Sequence, residues 1–425
     1  MRKINVGIIG LGTVGGGVVE ILKKSKSLGV PLQIAGVADL ATEKARELGL
    51  DESVITARAD DVVNNPDIDI VVELIGGCGA ARKIVNLSLQ KGKAVVTANK
   101  ALLAEHGEEI FHIAEEHNTD IYYEASVAGG IPVIKLLREG LVGNKITSIM
   151  GIVNGTCNYV LDKMQTEGTD FKQALAEAQQ EGYAEQDPAL DINGVDSAHK
   201  LVILSSLAMG RWVGLDQVYT EGIVNITHSD IMYAGEFGYV IKLLAICKYR
   251  RGAIEVRVHP TLLPKRHILS TVSGVYNAIY IKGDNIGSQL YYGKGAGRLP
   301  TASAVVADIV DVARDFTAGI KCRIPAIRYT HTGRKVRPIE DNISQCYLRF
   351  TTMDRPGVLS QISGILGSNN ISIASVIQKG RHRTNAVHIV MMTHKALEKN
   401  IKKALEQIDK LPELRAKTIM IRKEE

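Results

Sequence analysis

The densest run of chemically able side chains lies between Glu181 and Lys200, reading EGYAEQDPALDINGVDSAHK. Pro188 and the Asn193-Gly194 pair mark a loop that leads into a helix. On that helix Asp196 and Lys200 stand four residues apart and share one face, which continues through Ile203 and Leu207 with Val202 beside it. The pair therefore begins a stripe directed at a core. A lysine drawn out of water loses its charge readily, and a neighbouring carboxylate restores it. That is the setting a proton-transferring lysine needs. The competing reading is a helix-start Asp in an ordinary surface ion pair. Glu185 and Asp191 are either members of the same site or loop solubilisers, and their crowding before an apolar helix favours a site.

A second signal comes early. Gly10-Leu11-Gly12-Thr13-Val14-Gly15 follows an apolar strand and opens a helix. In such a turn Gly10 allows the sharp bend, Gly12 lets backbone approach a pyrophosphate, and Gly15 lets helix and strand pack closely. The helix N-terminus then offers amides to the anion. Strand, turn, helix and second strand follow in order, and Asp39 closes the second strand at the spacing of a ribose-binding acid. A carboxylate there accepts from both ribose hydroxyls and repels a 2′-phosphate. No Arg follows it immediately, so NAD is favoured over NADP. Val96-Thr97-Ala98-Asn99-Lys100 ends a further strand, where strand C-termini of such sheets meet the ligand crevice. Lys100 is either a carboxylate- or carbonyl-binding lysine or a plain helix-start residue. Glu124-Ala125-Ser126-Val127-Ala128-Gly129-Gly130-Ile131-Pro132 forms a glycine-bearing turn whose carboxylate and carbonyls suit a hard monovalent cation.

These groups need elements to hold them. The first 130 residues alternate apolar runs (Ile4–Ile9, Leu32–Ala38, Ile68–Leu74, Ala94–Thr97, Ile121–Glu124) with helix patterns such as Val14–Lys24 and Glu105–His117. That alternation predicts βαβ units and a doubly wound parallel sheet, an α/β domain over residues 1–130. Residues 131–300 mix helix-like stretches (Ala174–Glu181, Ser197–Met209) with strand-like ones (Ile254–His259, Ala278–Lys282) and read as an α+β domain. Strongly helical Thr301–Phe316, within 301–318, could rejoin the first domain. Residues 319–344, centred on the polar and basic run Pro325–Asn342, read as a linker whose Arg328, Arg334, Lys335 and Arg337 are solvated charge. Residues 345–425 follow as Gln345–Thr352, Val358–Asn369, Ile371–Gln378, Ala386–Thr393, Ala396–Ile408 and Ala416–Ile421. That is βαββαβ, the ferredoxin-like arrangement.

Composition agrees with this division. At roughly 150 residues per domain, 425 residues make about three domains. With 45% hydrophobic and 23% charged residues, disordered, collagen-like and disulfide-scaffold classes are excluded. The formal net charge of +5 is too small and too dispersed to argue for nucleic acid. Cys78, Cys157, Cys247, Cys322 and Cys346 lie far apart, without CxxC or His partners at metal spacing, as expected of reduced cytoplasmic thiols. No uncharged run reaches membrane-spanning length.

Taken together, the sequence resembles the homoserine dehydrogenase family over essentially its whole length. The resemblance rests on Gly10–Gly17, Val72–Gly77, Thr97–Lys100, Glu124–Pro132, Asn154–Tyr159, Gly182–Lys200 and Gly293–Asp308. Its most specific part is Gly182-Tyr183-x-Glu185-x-Asp187-Pro188 with Asp191, Asp196 and Lys200. It implies a Rossmann-type sheet, an α+β substrate and dimerisation domain, and a C-terminal ACT domain, marked by Asp354-Arg355-Pro356-Gly357-Val358-Leu359. It implies NAD(P)-dependent interconversion of L-aspartate 4-semialdehyde and L-homoserine, in the branch toward threonine, methionine and isoleucine. By the same resemblance Lys200 is the proton donor and Asp196 its partner. Glu185, Asp191, Lys100 and Thr156 contact substrate. Gly10, Gly12, Thr13, Val14, Gly15, Asp39, Thr97, Lys100 and Gly297 serve the cofactor. Glu124 and the carbonyls of Val127, Gly129 and Ile131 hold sodium. L-threonine is the implied effector at the ACT domain, and the assembly a homodimer or homotetramer of the monofunctional form. Two alternatives remain: another dehydrogenase of a small amino aldehyde or hydroxy acid, and a non-catalytic NAD- and amino-acid-sensing protein. A sensor has no need of the Asp196–Lys200 pair.

Overall fold

The computed structural model describes residues 2–25, 28–330, 333–379 and 386–425. The chain divides into two compact units, each assembled from separate stretches. The first comprises Met1–Val153, Ala198–Val218 and Tyr276–Arg334; the second comprises Asn154–Ser197, Tyr219–Val275 and Lys335–Glu425.

In the first unit, Ile4–Ile9 lies between Leu32–Ala38 and Ile70–Glu73. Beyond these come Ile55–Thr56 on one side, and Ala94–Thr97 and Ile121–Tyr122 on the other, with all pairings parallel. Neighbouring residues of one strand serve opposite cores. Ile8 joins Val18, Val72, Val96, Ala302, Val305 and Ile309, whereas Ile9 joins Val62, Val71 and Ile84 on the other face. Both faces are covered, which is why these strands are apolar almost without a break.

The helix Arg298–Thr317 belongs to this unit and packs against the helix Thr13–Lys24. The approach is so close that a Cβ on Gly17 would lie 2.9 Å from both Ala302 Cβ and the Arg298 carbonyl oxygen. A separate antiparallel set in the same unit pairs Ile146–Ile152, Tyr276–Gly283 and Gly287–Lys294.

The second unit is built on a long antiparallel pair, Tyr239–Arg250 with Ala253–Pro264. Leu414–Lys423 runs parallel to the second of these through Thr261↔Arg422 and Leu262↔Lys423. It also pairs antiparallel with Ile343–Met353, which pairs with Ala386–Thr393, which pairs with Ile373–Gln378. The helices Val358–Ser368 and Glu398–Ile408 complete the βαββαβ pattern. Their apolar sides meet Leu348, Phe350, Ile389 and Met391 in one core.

Several sequence expectations shift. The strand expected over Ile121–Glu124 ends at Tyr122, because Glu124 opens a 3₁₀ turn. The helix expected from Glu105 begins at Lys100, where Asn99 caps it by accepting from the Leu102 amide. The basic stretch before the last module is not plain solvated charge. Lys335–Val336 pairs with Ala253–Ile254, and Arg337 donates to Glu255 (2.8 Å) and to the Arg250 carbonyl (2.9 Å). Arg328 is exposed, as expected.

Candidate functional site

The glycine turn closes the first strand. Gly10 takes φ +99°, and its amide donates to the Ala38 carbonyl at 2.8 Å. A Cβ on Gly15 would stand 1.9 Å from the Gly10 carbonyl oxygen, so no other residue fits this crossing of turn and helix. Around Gly12, by contrast, nothing lies within 4 Å of where a Cβ would be. The helix starts at Thr13 without a side-chain cap, so its first amides, those of Thr13, Val14 and Gly15, lack a side-chain acceptor. Asp39 reaches back to the turn: one carboxylate oxygen accepts from the Leu11 amide (2.5 Å) and the other from the Ala41 amide (2.9 Å). Each oxygen keeps a further lone pair for a hydroxyl.

Next to the turn, the ends of Ile70–Glu73 and Ala94–Thr97 are joined by side chains. The Thr97 hydroxyl, fully buried, donates to Glu73 at 2.6 Å and accepts from the Asn99 amide at 3.0 Å. Thr97 is thus engaged inward; what it can offer a ligand is main chain. Lys100, half-buried, is the first residue of the helix that Asn99 caps.

Gly297, at φ +121°, precedes the helix Arg298–Thr317. The turn at 127–131 packs against the stretch before it: the Gly130 amide donates to the Lys294 carbonyl, and a Cβ on Gly129 would lie 2.5 Å from the Gly295 oxygen. Behind that turn Glu124 is buried. Its two carboxylate oxygens accept from the Ile134 and Lys135 amides, both at 2.7 Å, and its own amide donates to Asp308 at 2.8 Å. Burial pushes the Glu124 carboxyl up to about 7, against the pull of those two amides, Arg138 and Lys135. Asp308 is raised as well, by burial and by Glu124.

One helix, Val195–Met209, carries Asp196 in its first turn and Lys200 a turn later. The Lys200 amine donates to the Val153 carbonyl at 2.6 Å. In the second unit Asp196 is buried, and one of its oxygens accepts from the Asn154 side-chain amide at 2.9 Å. The same amide nitrogen donates to Asp191 at 2.7 Å, while the Asn154 oxygen caps the helix Gly155–Thr166 through the Cys157 amide. The Thr156 hydroxyl donates to the Tyr183 carbonyl (2.7 Å) and approaches the other Asp191 oxygen (3.3 Å). Asp191, Asp196 and Thr156 are therefore gathered around one asparagine. Glu185 is not among them: it is exposed on its loop, where its carbonyl accepts from Gln179.

Two organising residues, Asn154 and Glu73, lie in stretches that carry the resemblance but receive no role from the sequence. Asn154 carried a usable signal, an Asn immediately before a helical run. Glu73 carried only its place at the end of an apolar strand.

The comparisons with known proteins agree with this geometry. Residues 10–124 match the family model for the NAD binding domain of homoserine dehydrogenase, residues 132–310 that for homoserine dehydrogenase, and residues 347–413 that for the ACT domain. The chain is 44% identical to a homoserine dehydrogenase of Neisseria gonorrhoeae, covering 100% of this chain and 99% of that one. For a homoserine dehydrogenase of Pseudomonas aeruginosa the identity is 43%, with 100% of both covered. The chain belongs to the homoserine dehydrogenase family. A crystal structure of a homoserine dehydrogenase from Thiobacillus denitrificans shares the fold with a TM-score of 0.93 and 44% identity, across 100% of this chain and 99% of that one.

Family membership makes the chain an NAD(P)-dependent oxidoreductase with an ACT module. The turn fits a dinucleotide on its own evidence: helix amides without a side-chain cap, open space at Gly12, and an acid at the end of the second strand. The oxygen-rich turn at 124–131 fits a monovalent cation. The buried carbonyls of Val127 and Gly129 receive no hydrogen bond from the described residues, whereas that of Ile131 accepts from the Val133 amide.

Proposed function

We propose that this chain interconverts L-aspartate 4-semialdehyde and L-homoserine, with Lys200 delivering the proton to the aldehyde oxygen. The observation that carries the reading is the Lys200 amine held against the Val153 carbonyl at 2.6 Å, on the helix that also bears Asp196. A main-chain acceptor fixes the amine in place. A bound nicotinamide dinucleotide supplies or takes the hydride. Lys200 then neutralises the alkoxide that develops as the carbonyl is reduced. Asp191 and Glu185 provide carboxylates for the substrate's ammonium. Thr156 is a further substrate contact, and Lys100 serves its carboxylate or the nicotinamide side.

Gly10, Gly12, Thr13, Val14, Gly15, Thr97 and Gly297 form the cofactor's seat, with Asp39 selecting NAD over NADP by its charge. Glu124 and the carbonyls of Val127, Gly129 and Ile131 hold a sodium ion. The three domains run 1–130 (with helix 301–318), 131–300 and, after the linker 319–344, 345–425. The ACT module takes L-threonine as effector, and the assembly is a homodimer or homotetramer. Five cysteine thiols suit a reducing cytoplasm. Among the described residues no helix is long and apolar enough to cross a membrane.

One assay tests substrate, reaction and cofactor together: homoserine-dependent reduction of NAD against NADP, followed by absorbance at alkaline pH. Lys200→Ala should bind cofactor normally and turn over about two to four orders of magnitude more slowly. A variant with near-normal turnover would sink the role of Lys200.

A further inference from the structure

Glu73 has no part in the reading above, yet it is a fully buried carboxylate at the end of a central strand of the cofactor sheet. Among the described residues its hydrogen-bond partners are donors. One oxygen accepts from the Ile75 amide (3.0 Å) and the Gly76 amide (3.3 Å), and the other from the Thr97 hydroxyl (2.6 Å). The ring of bonds then closes through Asn99. The Asn99 amide nitrogen of the main chain donates to the Thr97 hydroxyl oxygen (3.0 Å), and its side-chain nitrogen donates to the Gly77 carbonyl (2.7 Å). Its side-chain oxygen meanwhile caps the helix that starts at Lys100. Two loops are joined: 74–77 after one strand and 98–100 after the next.

The first of these loops has little else to hold it. Gly76 and Gly77 both take positive φ, +73° and +69°, and nothing lies within 4 Å of where their Cβ atoms would be. Glycines in open space order only at a cost in entropy, and here a single buried carboxyl group turns two successive amides inward. The loop also borders the nucleotide turn directly, since a Cβ on Gly10 would lie 2.7 Å from the Leu74 carbonyl oxygen.

We propose that Glu73 is a positioning residue for the cofactor: through Thr97 and Asn99 it clamps the 74–77 loop and the start of the Lys100 helix into the binding-competent arrangement. The clamp acts through preorganisation, and it rests on the reading that the dinucleotide sits at the Gly10–Gly15 turn. When only a fraction of molecules holds the competent arrangement, apparent affinity falls by that fraction.

Glu73→Gln keeps the side chain's size but turns one oxygen into a donor group facing donors. NADH binding is read by fluorescence titration, with thermal unfolding recorded on the same samples. The Glu73→Gln protein, still folded at the assay temperature, should bind NADH about tenfold more weakly. Its kcat at saturating cofactor should fall much less than its KM for cofactor rises. Asn99→Ser keeps a capping oxygen and loses the side-chain amide that donates to Gly77 and also reaches Glu73. It should weaken NADH in the same direction by about threefold, and it decides the matter if Glu73→Gln does not fold. A folded Glu73→Gln or Asn99→Ser protein with unchanged NADH affinity, beside a wild type that binds, overturns the clamp alone. A wild type that binds no NADH overturns the cofactor reading and the clamp with it.

Discussion

Glu424→Gln should weaken the second unit by about 3–5 kcal/mol, the cost of stripping one partner from a buried ion pair. The Glu424 carboxylate bridges Lys248 and Arg257, and the three side chains are 9%, 4% and 7% exposed. Arg257 keeps a second partner, Glu255 at 2.6 Å. Lys248 has no other carboxylate among the described residues, so the substitution leaves its cation buried and unmatched. Titration leads to the same figure. Burial alone would raise the Glu424 carboxyl; Arg257 and Lys248 more than overcome it and hold it at about 2, against an ordinary 4.5. A gap of about two and a half pH units, at about 1.4 kcal/mol each, comes to roughly 3.5 kcal/mol. Because the folded value lies below the unfolded one, this stabilisation is complete above about pH 4.5 and drains away as pH falls toward 2.

A local measurement suits a chain of several domains. Amide hydrogen exchange in Ala253–Pro264 and Leu414–Lys423 should speed up by about two to three and a half orders of magnitude in Glu424→Gln at neutral pH. A second change, Lys248→Met, removes the stranded cation and should recover most of the loss. Exchange within about twofold of wild type, or a double variant no better protected than the single one, would refute the reasoning.

Two further outcomes are expected. Asn154→Ser keeps a capping oxygen for the Cys157 amide but no longer bridges Asp191 and Asp196. Its kcat/KM for homoserine should drop about tenfold or more with little change in thermal stability, and steady-state kinetics beside a melting curve checks both. Gly15→Ala places a methyl 1.9 Å from the Gly10 carbonyl oxygen. NADH affinity should fall by at least about two orders of magnitude, since the turn must open to admit the group, and fluorescence titration tells.

How much of this the sequence discloses depends on how local each cause is. The nucleotide turn is legible because its parts are neighbours: an apolar strand, glycines at fixed spacing and a helix start. The Asp196–Lys200 spacing is legible for the same reason. Lys100 as a helix start is one of the two readings the sequence offers, although the apolar period is clear only from Glu105 onward. Glu124 looks like a strand residue until the amides of Ile134 and Lys135, which it must satisfy, are in place. Arg337 reads as solvated charge because Glu255 lies 82 residues away and no local pattern announces it. Glu185 crowds with Asp191 and Asp196 along the chain, yet it is exposed on its loop and apart from the group around Asn154.

The placement of the helix Arg298–Thr317 also bears on how the molecule reaches its native state. Val18 and Val19 of the helix Thr13–Lys24 share a core with Ile70, Val72, Ala302, Val305 and Ile309, so part of one face of the parallel sheet stays open until a far later stretch of chain returns to it. Loop-closure entropy grows only slowly with such a separation, but contacts this distant in sequence slow the search for them. During translation the open face is unprotected apolar surface, the kind of intermediate that aggregates or recruits chaperones. Residues 10–124, the stretch matching the NAD binding domain, are consequently a poor candidate for expression alone. Supplying 298–317 in trans, or fusing it behind them by a short linker, gives that fragment its missing wall.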